Sequence, residues 1–160
     1  MANLQTLHDE LLIGHPDSGP YPADSQLAAD QINALNRVRL IPITSGNLLA
    51  WSGAKSSDAD RPRIIKIEEG QQSPVEDIAA ICKVASETIR RDGTELDLSR
   101  ADRVAMVDGL VAGGILSDAD RASLYALATQ MISRAEELAI GTVRAGTVEM
   151  ARALTTQGAV

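Results

Sequence analysis

Phenylalanine is absent from this chain, and Trp51, Tyr21 and Tyr125 are its aromatic residues. The 44% hydrophobic content is therefore carried mostly by Ala, Leu, Ile and Val, small side chains that favour closely packed helices over an aromatic-lined cleft. Cations are also in short supply: 15 Lys and Arg stand against 22 Asp and Glu, a net charge of −7. Nucleic-acid affinity comes chiefly from Lys and Arg that displace counterions from phosphates, so direct nucleic-acid binding is not expected. One cysteine, Cys82, cannot close an internal disulfide, and inside an apolar helical run it reads as a small core residue. No run of about 18 apolar residues offers a membrane span. MANLQTLHDELLIG lacks the basic start and apolar centre of a signal peptide, so neither export by that route nor a membrane partner is expected. His8 and His15 have no Cys or third His to complete a ligand set, and read as solvated surface residues. No metal and no cofactor are expected. A nucleophile elbow, a phosphate loop and a dinucleotide fingerprint are all missing. The glycines of GLVAGG (109–114) follow a helix, not a strand, and read as its terminators. Catalytic residues are accordingly not assigned, and the chain is not expected to be an enzyme.

What is present is helix. A chain of 160 residues can bury roughly 70% of its unfolded surface around one core. The expected fold is mainly α: a small helical bundle with extended loops or arms and room for a short β segment, one domain over 1–160. Asn3 can cap a helix with Leu4, Leu7, Leu11 and Leu12 at helical spacing, stopped by Gly14. HPDSGPYP (15–22) is a turn-rich loop. Asp24 or Ser25 can cap a second helix whose apolar face is Leu27, Ala28, Ile32 and Leu35. RVRLIPIT (37–44) alternates like an extended segment that Pro42 confines to an edge or arm. Thr44 or Ser45 opens a brief helix through NLLAW.

The most polar stretch, near 52–72, reads as a surface loop, with RIIKIEEG (63–70) open between a short strand and a helical turn. Ser73, Pro74 and Glu76 form a helix start, a capping hydroxyl, a first-turn proline and a carboxylate that reaches back. That helix should run to about Asp92, burying Val75, Ile78, Ile81, Cys82, Ala85 and Ile89, with Gly93 as its stop. Near its end the chain predicts a helix to about Ile140, a turn at Gly141, an extended TVRAG, and a last helix capped by Thr147. Val148, Met150, Ala151 and Leu154 would be that helix's apolar stripe, facing its own core or a neighbouring subunit. The segment 141–160 is assigned to a C-terminal arm.

LSRADR (98–103) and LSDADR (116–121) are nearly the same six letters, and SDADR recurs at 57–61. In the first two, Ser99 and Ser117 can each accept the third helical amide while Asp102 and Asp120 face the helix's positive end. Each precedes apolar residues at helical spacing: Val104, Val107, Leu110 and Val111 after one, Leu124, Tyr125, Leu127 and Ala128 after the other. Both are therefore read as helix caps, not ligand sites. At 57–61 Pro62 limits the motif to one turn at most.

Four phrases occur in one order: LHDELLIGHPDSGPYPADSQLAADQINALNRVR, ITSGNLLAW, LVAGGILSDADRASLYALA and SRAEELAIGTVRAG. Together they resemble a group of small helical structural proteins of tailed bacteriophages, over much of the chain except about 52–97. The resemblance implies a virion component of head-tail connector or neck type. Such a protein is assembled in the bacterial host cytoplasm, works as a homo-oligomer ring, and touches other phage structural proteins such as portal or tail components. An assembly chaperone or other non-virion accessory factor is the alternative. In a ring of acidic chains, contacts need local basic partners. Arg37, Arg39, Arg61, Arg63 and Lys66 lie in segments read as arms (15–23, 37–44, 52–72 and the C-terminus) and are the candidate inter-subunit contacts.

Overall fold

The structure is a computed structural model that describes residues 3–91 and 93–154. In chain order its elements are α1 (Leu4–Ile13), α2 (Ser25–Asn33), β1 (Leu35–Leu40), α3 (Ser45–Gly53), α4 (Arg63–Gly70), α5 (Glu76–Arg90), α6 (Ala101–Ala112), α7 (Asp118–Leu127), β2 (Thr129–Ser133), α8 (Arg134–Glu137) and α9 (Ala145–Ala153). The fold is mainly α, with β1 and β2 paired in a small antiparallel ribbon. Among the described residues no helix is long and apolar enough to cross a membrane.

Instead of one core there are two, each in its own compact unit. The chain leaves the first unit after Arg39 and returns to it at Met131, and Leu40–Gln130 forms the second. In the first unit, α9 packs on α1 and α2, and α8 on α2. Leu7, Ala28, Ala29, Ile32, Ile140, Val143, Val148 and Ala151 close its interior, with Tyr21 at the margin. Small residues on α2 and α9 permit this close approach. Residues 141–154 are thus no arm, since Val143, Val148 and Ala151 are core residues; the remainder of the expected arm, 155–160, lies outside the described residues. Leu27 and Leu35, expected on an apolar face, and Val75, expected to be buried, are exposed.

In the second unit α5 is the central helix, packed on α3, α4 and α6, with α7 against α6. Leu48, Trp51, Ile67, Cys82, Ala85, Ile89, Val107, Leu110 and Leu124 make its core. Two glycines admit neighbouring helices. A Cβ at Gly70 would lie 2.5 Å from the Cys82 sulfur, and one at Gly109 2.6 Å from Ile81 Cδ1. Gly109 therefore packs within α6, and termination falls to Gly113, the C-cap, and Gly114, at φ +71°. The stretch 63–70 is helix α4, and 54–62 is a loop closed by a bridge between Lys55 and Pro62.

Local capping explains most helix starts. Asn3, Asp24, Thr44, Ser117 and Ser133 each accept a first-turn amide, and Ser117 with Asp120 and Ser133 with Glu136 form complete capping boxes. The twin motif behaves differently. The Ser99 hydroxyl donates to Asp97 at 2.6 Å, Arg100 occupies the N-cap, and no side chain caps α6. Ser73 likewise accepts from the Val75 amide at 3.2 Å and holds a turn, so α5 begins at Glu76, two residues after Pro74. Thr147 lies inside α9, which starts at Ala145. The 57–61 motif forms no helix.

Candidate functional site

Each unit contains one buried polar node. In the second, Asp120 of α7 is fully buried and accepts from three directions. Its Oδ1 receives the Ser57 amide at 3.0 Å, the Ser57 hydroxyl at 3.0 Å and Arg63 Nε at 2.8 Å. Its Oδ2 receives the Ser56 hydroxyl, the Ser117 amide at 3.2 Å and the Ser117 hydroxyl at 3.0 Å. Burial by itself raises this carboxyl. Hydrogen bonds from Ser56, the Ser57 amide and Arg63 outweigh that effect and hold it well below the usual carboxylate range. Arg63 also donates to the Trp51 carbonyl at 2.9 Å and lies over the indole, 5.0 Å from its centroid. Trp51 Nε1 donates to Ser123 at 2.8 Å. The node ties the 54–62 loop, α4 and the end of α3 to the first turn of α7.

Serine beside lysine invites a nucleophilic reading, since Lys66 Nζ is 3.3 Å from the Ser56 hydroxyl. That hydroxyl donates to two carboxylates, Asp58 at 2.5 Å and Asp120. Lys66 is 2.8 Å from the Asp58 carboxylate, which its bond holds below the ordinary range. The arrangement fastens chain segments together.

The first unit's node centres on Glu10, buried in α1. Arg134 reaches it with two bonds, Nε to Oε1 at 2.9 Å and Nη2 to Oε2 at 2.7 Å, and the Tyr21 hydroxyl donates to Oε1 at 2.8 Å. Burial pushes Glu10 up, but the bonds from Arg134 and Tyr21 carry it below its ordinary value. The Tyr21 hydroxyl is pushed above its ordinary range by burial and by its carboxylate partner. Arg134 continues to Glu137 at 2.8 Å, and Glu137 to Arg37 at 3.0 Å. His15, expected at the surface, is buried against Tyr21 with rings edge to face, 5.9 Å apart. Its Nδ1 accepts the Asp17 amide at 3.2 Å, and among the described residues its buried Nε2 has no hydrogen-bond partner. His8 Nδ1 lies 2.9 Å from the Ala151 carbonyl and fastens α1 to α9. Among the described residues no group of three or more His, Cys, Asp or Glu is placed to hold a metal ion.

The five basic residues expected at subunit contacts are not brought together. Arg37 bridges Asp17 and Glu137 in the first unit. Arg39 is exposed on β1. Arg61 is exposed and paired with Glu69 at 2.7 Å. Lys66 is mostly covered and paired with Asp58. Arg63 is buried over the Trp51 ring against Asp120, so its charge stabilises the interior of its own unit and is not displayed to a neighbour. Sequence reasoning placed Arg63 outside because a polar, proline-bearing stretch ordinarily runs at the surface. The carboxylate that internalises it is 57 positions away.

The ribbon is the opposite case, apolar and displayed. Among the described residues β1 and β2 have no third strand, and Leu35, Val38 and Met131 are all large, apolar and exposed. No family model, no curated protein and no solved structure matches the chain.

Proposed function

We propose that this protein is a structural component of a tailed-phage virion, a head-tail connector or neck protein that works as a ring of identical copies, not as an enzyme. The observation that carries an assembly role is the β1–β2 ribbon. A lone two-stranded ribbon is marginal in water, and among the described residues no further strand pairs with it. Here such a ribbon also displays Leu35, Val38 and Met131. A chain whose work is to join others has reason to keep large apolar side chains displayed on such a ribbon.

The polar nodes support the same reading from the other side. Their serines, carboxylates and guanidinium groups are consumed by contacts within each unit. The phage assignment itself rests on the ordered resemblance of the four sequence phrases. Neighbouring rings, portal above or tail below, would be its partners, and the virion its location.

Deleting the gene from the phage that encodes it tests the connector role. Filled heads and finished tails should accumulate unjoined, and a supplied copy of the chain should restore joining. Infectious particles formed at the normal yield without the chain would remove the connector reading.

A further inference from the structure

We propose that copies of this chain join head to tail through the first unit: the face of α1 carrying Asp9, Leu12 and Ile13 seats in a groove of the next copy lined by Leu4, Ile140, Arg144 and Met150. The inference rests on the ring reading above and names its contact.

Asp9, Leu12 and Ile13 are spaced three and four apart and so share one face of α1. Leu12 is 65% and Ile13 82% exposed, the latter the most exposed large apolar side chain among the described residues. Asp9 accepts from Gln5 at 2.8 Å and has no cation partner among the described residues. This is a small knob of two aliphatic side chains beside one uncompensated carboxylate.

The groove is its counterpart. It has a volume of about 640 Å³, is open to solvent, and lies between the first turn of α1, the 139–142 turn and α9. Leu4, Ile140 and Met150 give it apolar walls, and Thr142 and Thr147 place hydroxyls at its margin. Arg144, exposed at the start of α9, is its one charged lining residue and has no carboxylate partner among the described residues. A knob with an unpaired acid and a groove with an unpaired guanidinium are complementary in charge and in apolar character.

Neither patch can pair with itself without setting like charges together. The contact is therefore heterologous, with each copy contributing a knob to one neighbour and a groove to the other, as a closed ring requires. The two patches lie toward opposite ends of α1. From Leu4 to Leu12 is eight residues, about 12 Å along the axis, so one copy can engage two neighbours at once.

The test uses the purified full-length chain in sedimentation velocity with light scattering, far-UV circular dichroism confirming that every variant folds. Ile13→Asp disables the knob and Arg144→Glu the groove, and each should weaken self-association at least about tenfold. Mixing the two variants in equal amounts is the decisive arm. The intact knob of the Arg144→Glu chain can enter the intact groove of the Ile13→Asp chain, giving a one-to-one dimer that grows no further. Combining Asp9→Arg with Arg144→Glu in one chain should restore association that each change alone removes. A wild-type chain that stays monomeric at every concentration would overturn the proposal. Oligomers unaltered by all of these changes would also overturn it, while leaving a ring closed through another surface. Association that behaves as described in a protein absent from particles would uphold the contact and remove the connector reading.

Discussion

Replacing Asp120 with Asn tests whether the buried node holds the second unit together. The substitution keeps the shape of the side chain and removes its charge. One carboxylate oxygen becomes an NH₂ group, and both oxygens face donors: Ser57 and Arg63 on one side, Ser56 and Ser117 on the other. Either orientation therefore opposes donor to donor. Arg63, with its side chain 10% exposed, loses its counter-charge. Breaking a buried pair from one side costs about 3–5 kcal/mol. For a unit of this size that corresponds to a fall of at least about 10 °C in its melting transition. Thermal unfolding followed by circular dichroism and calorimetry would measure it. Adding Arg63→Gln should recover part of the loss, because the stranded charge is then gone. Arg61→Glu is the control: its pair with Glu69 is exposed on both sides, and such pairs contribute about 1 kcal/mol or less. If Asp120→Asn melts with the wild type, or no worse than Arg61→Glu, the node is not structural and the reasoning fails.

Two further outcomes follow from particular groups. Ser117→Ala should destabilise by about 0.5–2 kcal/mol, because Ser117 caps α7, whereas Ser99→Ala should lie within about 0.5 kcal/mol of wild type; equal losses in urea titrations would contradict the difference seen between the twin motifs. Asp120 and Glu10 both have folded-state values below their ordinary ones, so the unfolded chain binds more protons as pH falls and stability should decline below about pH 4.5. Urea midpoints at descending pH would show this, with a shallower decline in Asp120→Asn. A midpoint that stays level through that range would count against both nodes.

Several elements were legible in the sequence because their signals are local. Asn3, Asp24, Thr44 and Ser117 cap the helices they precede, and Gly14 ends α1 as its spacing suggests. The twin motifs diverge for a reason two residues upstream: Asp97 takes the Ser99 hydroxyl, and Leu116–Ser117 has no such competitor. Long-range pairing was not legible. Nothing near Glu10 announces that its partner is Arg134, 124 positions on, or that the polar 52–63 stretch folds over Asp120. The division into two cores hides for the same reason. Its first unit joins the two ends of the chain, and only contact between distant segments reveals it. Periodicity places Leu27, Leu35 and Val75 on apolar or buried faces, yet all three are exposed, since spacing reports which residues share a face but not whether that face is covered.

Quantitative mass spectrometry of purified virions tests the central claim most directly. A connector should be present in every preparation at a fixed, multiple-copy ratio to the portal and tail proteins, retained through density-gradient purification. Its absence from mature particles, with the chain present only in lysates during assembly, would contradict a connector and leave a transient assembly factor in its place.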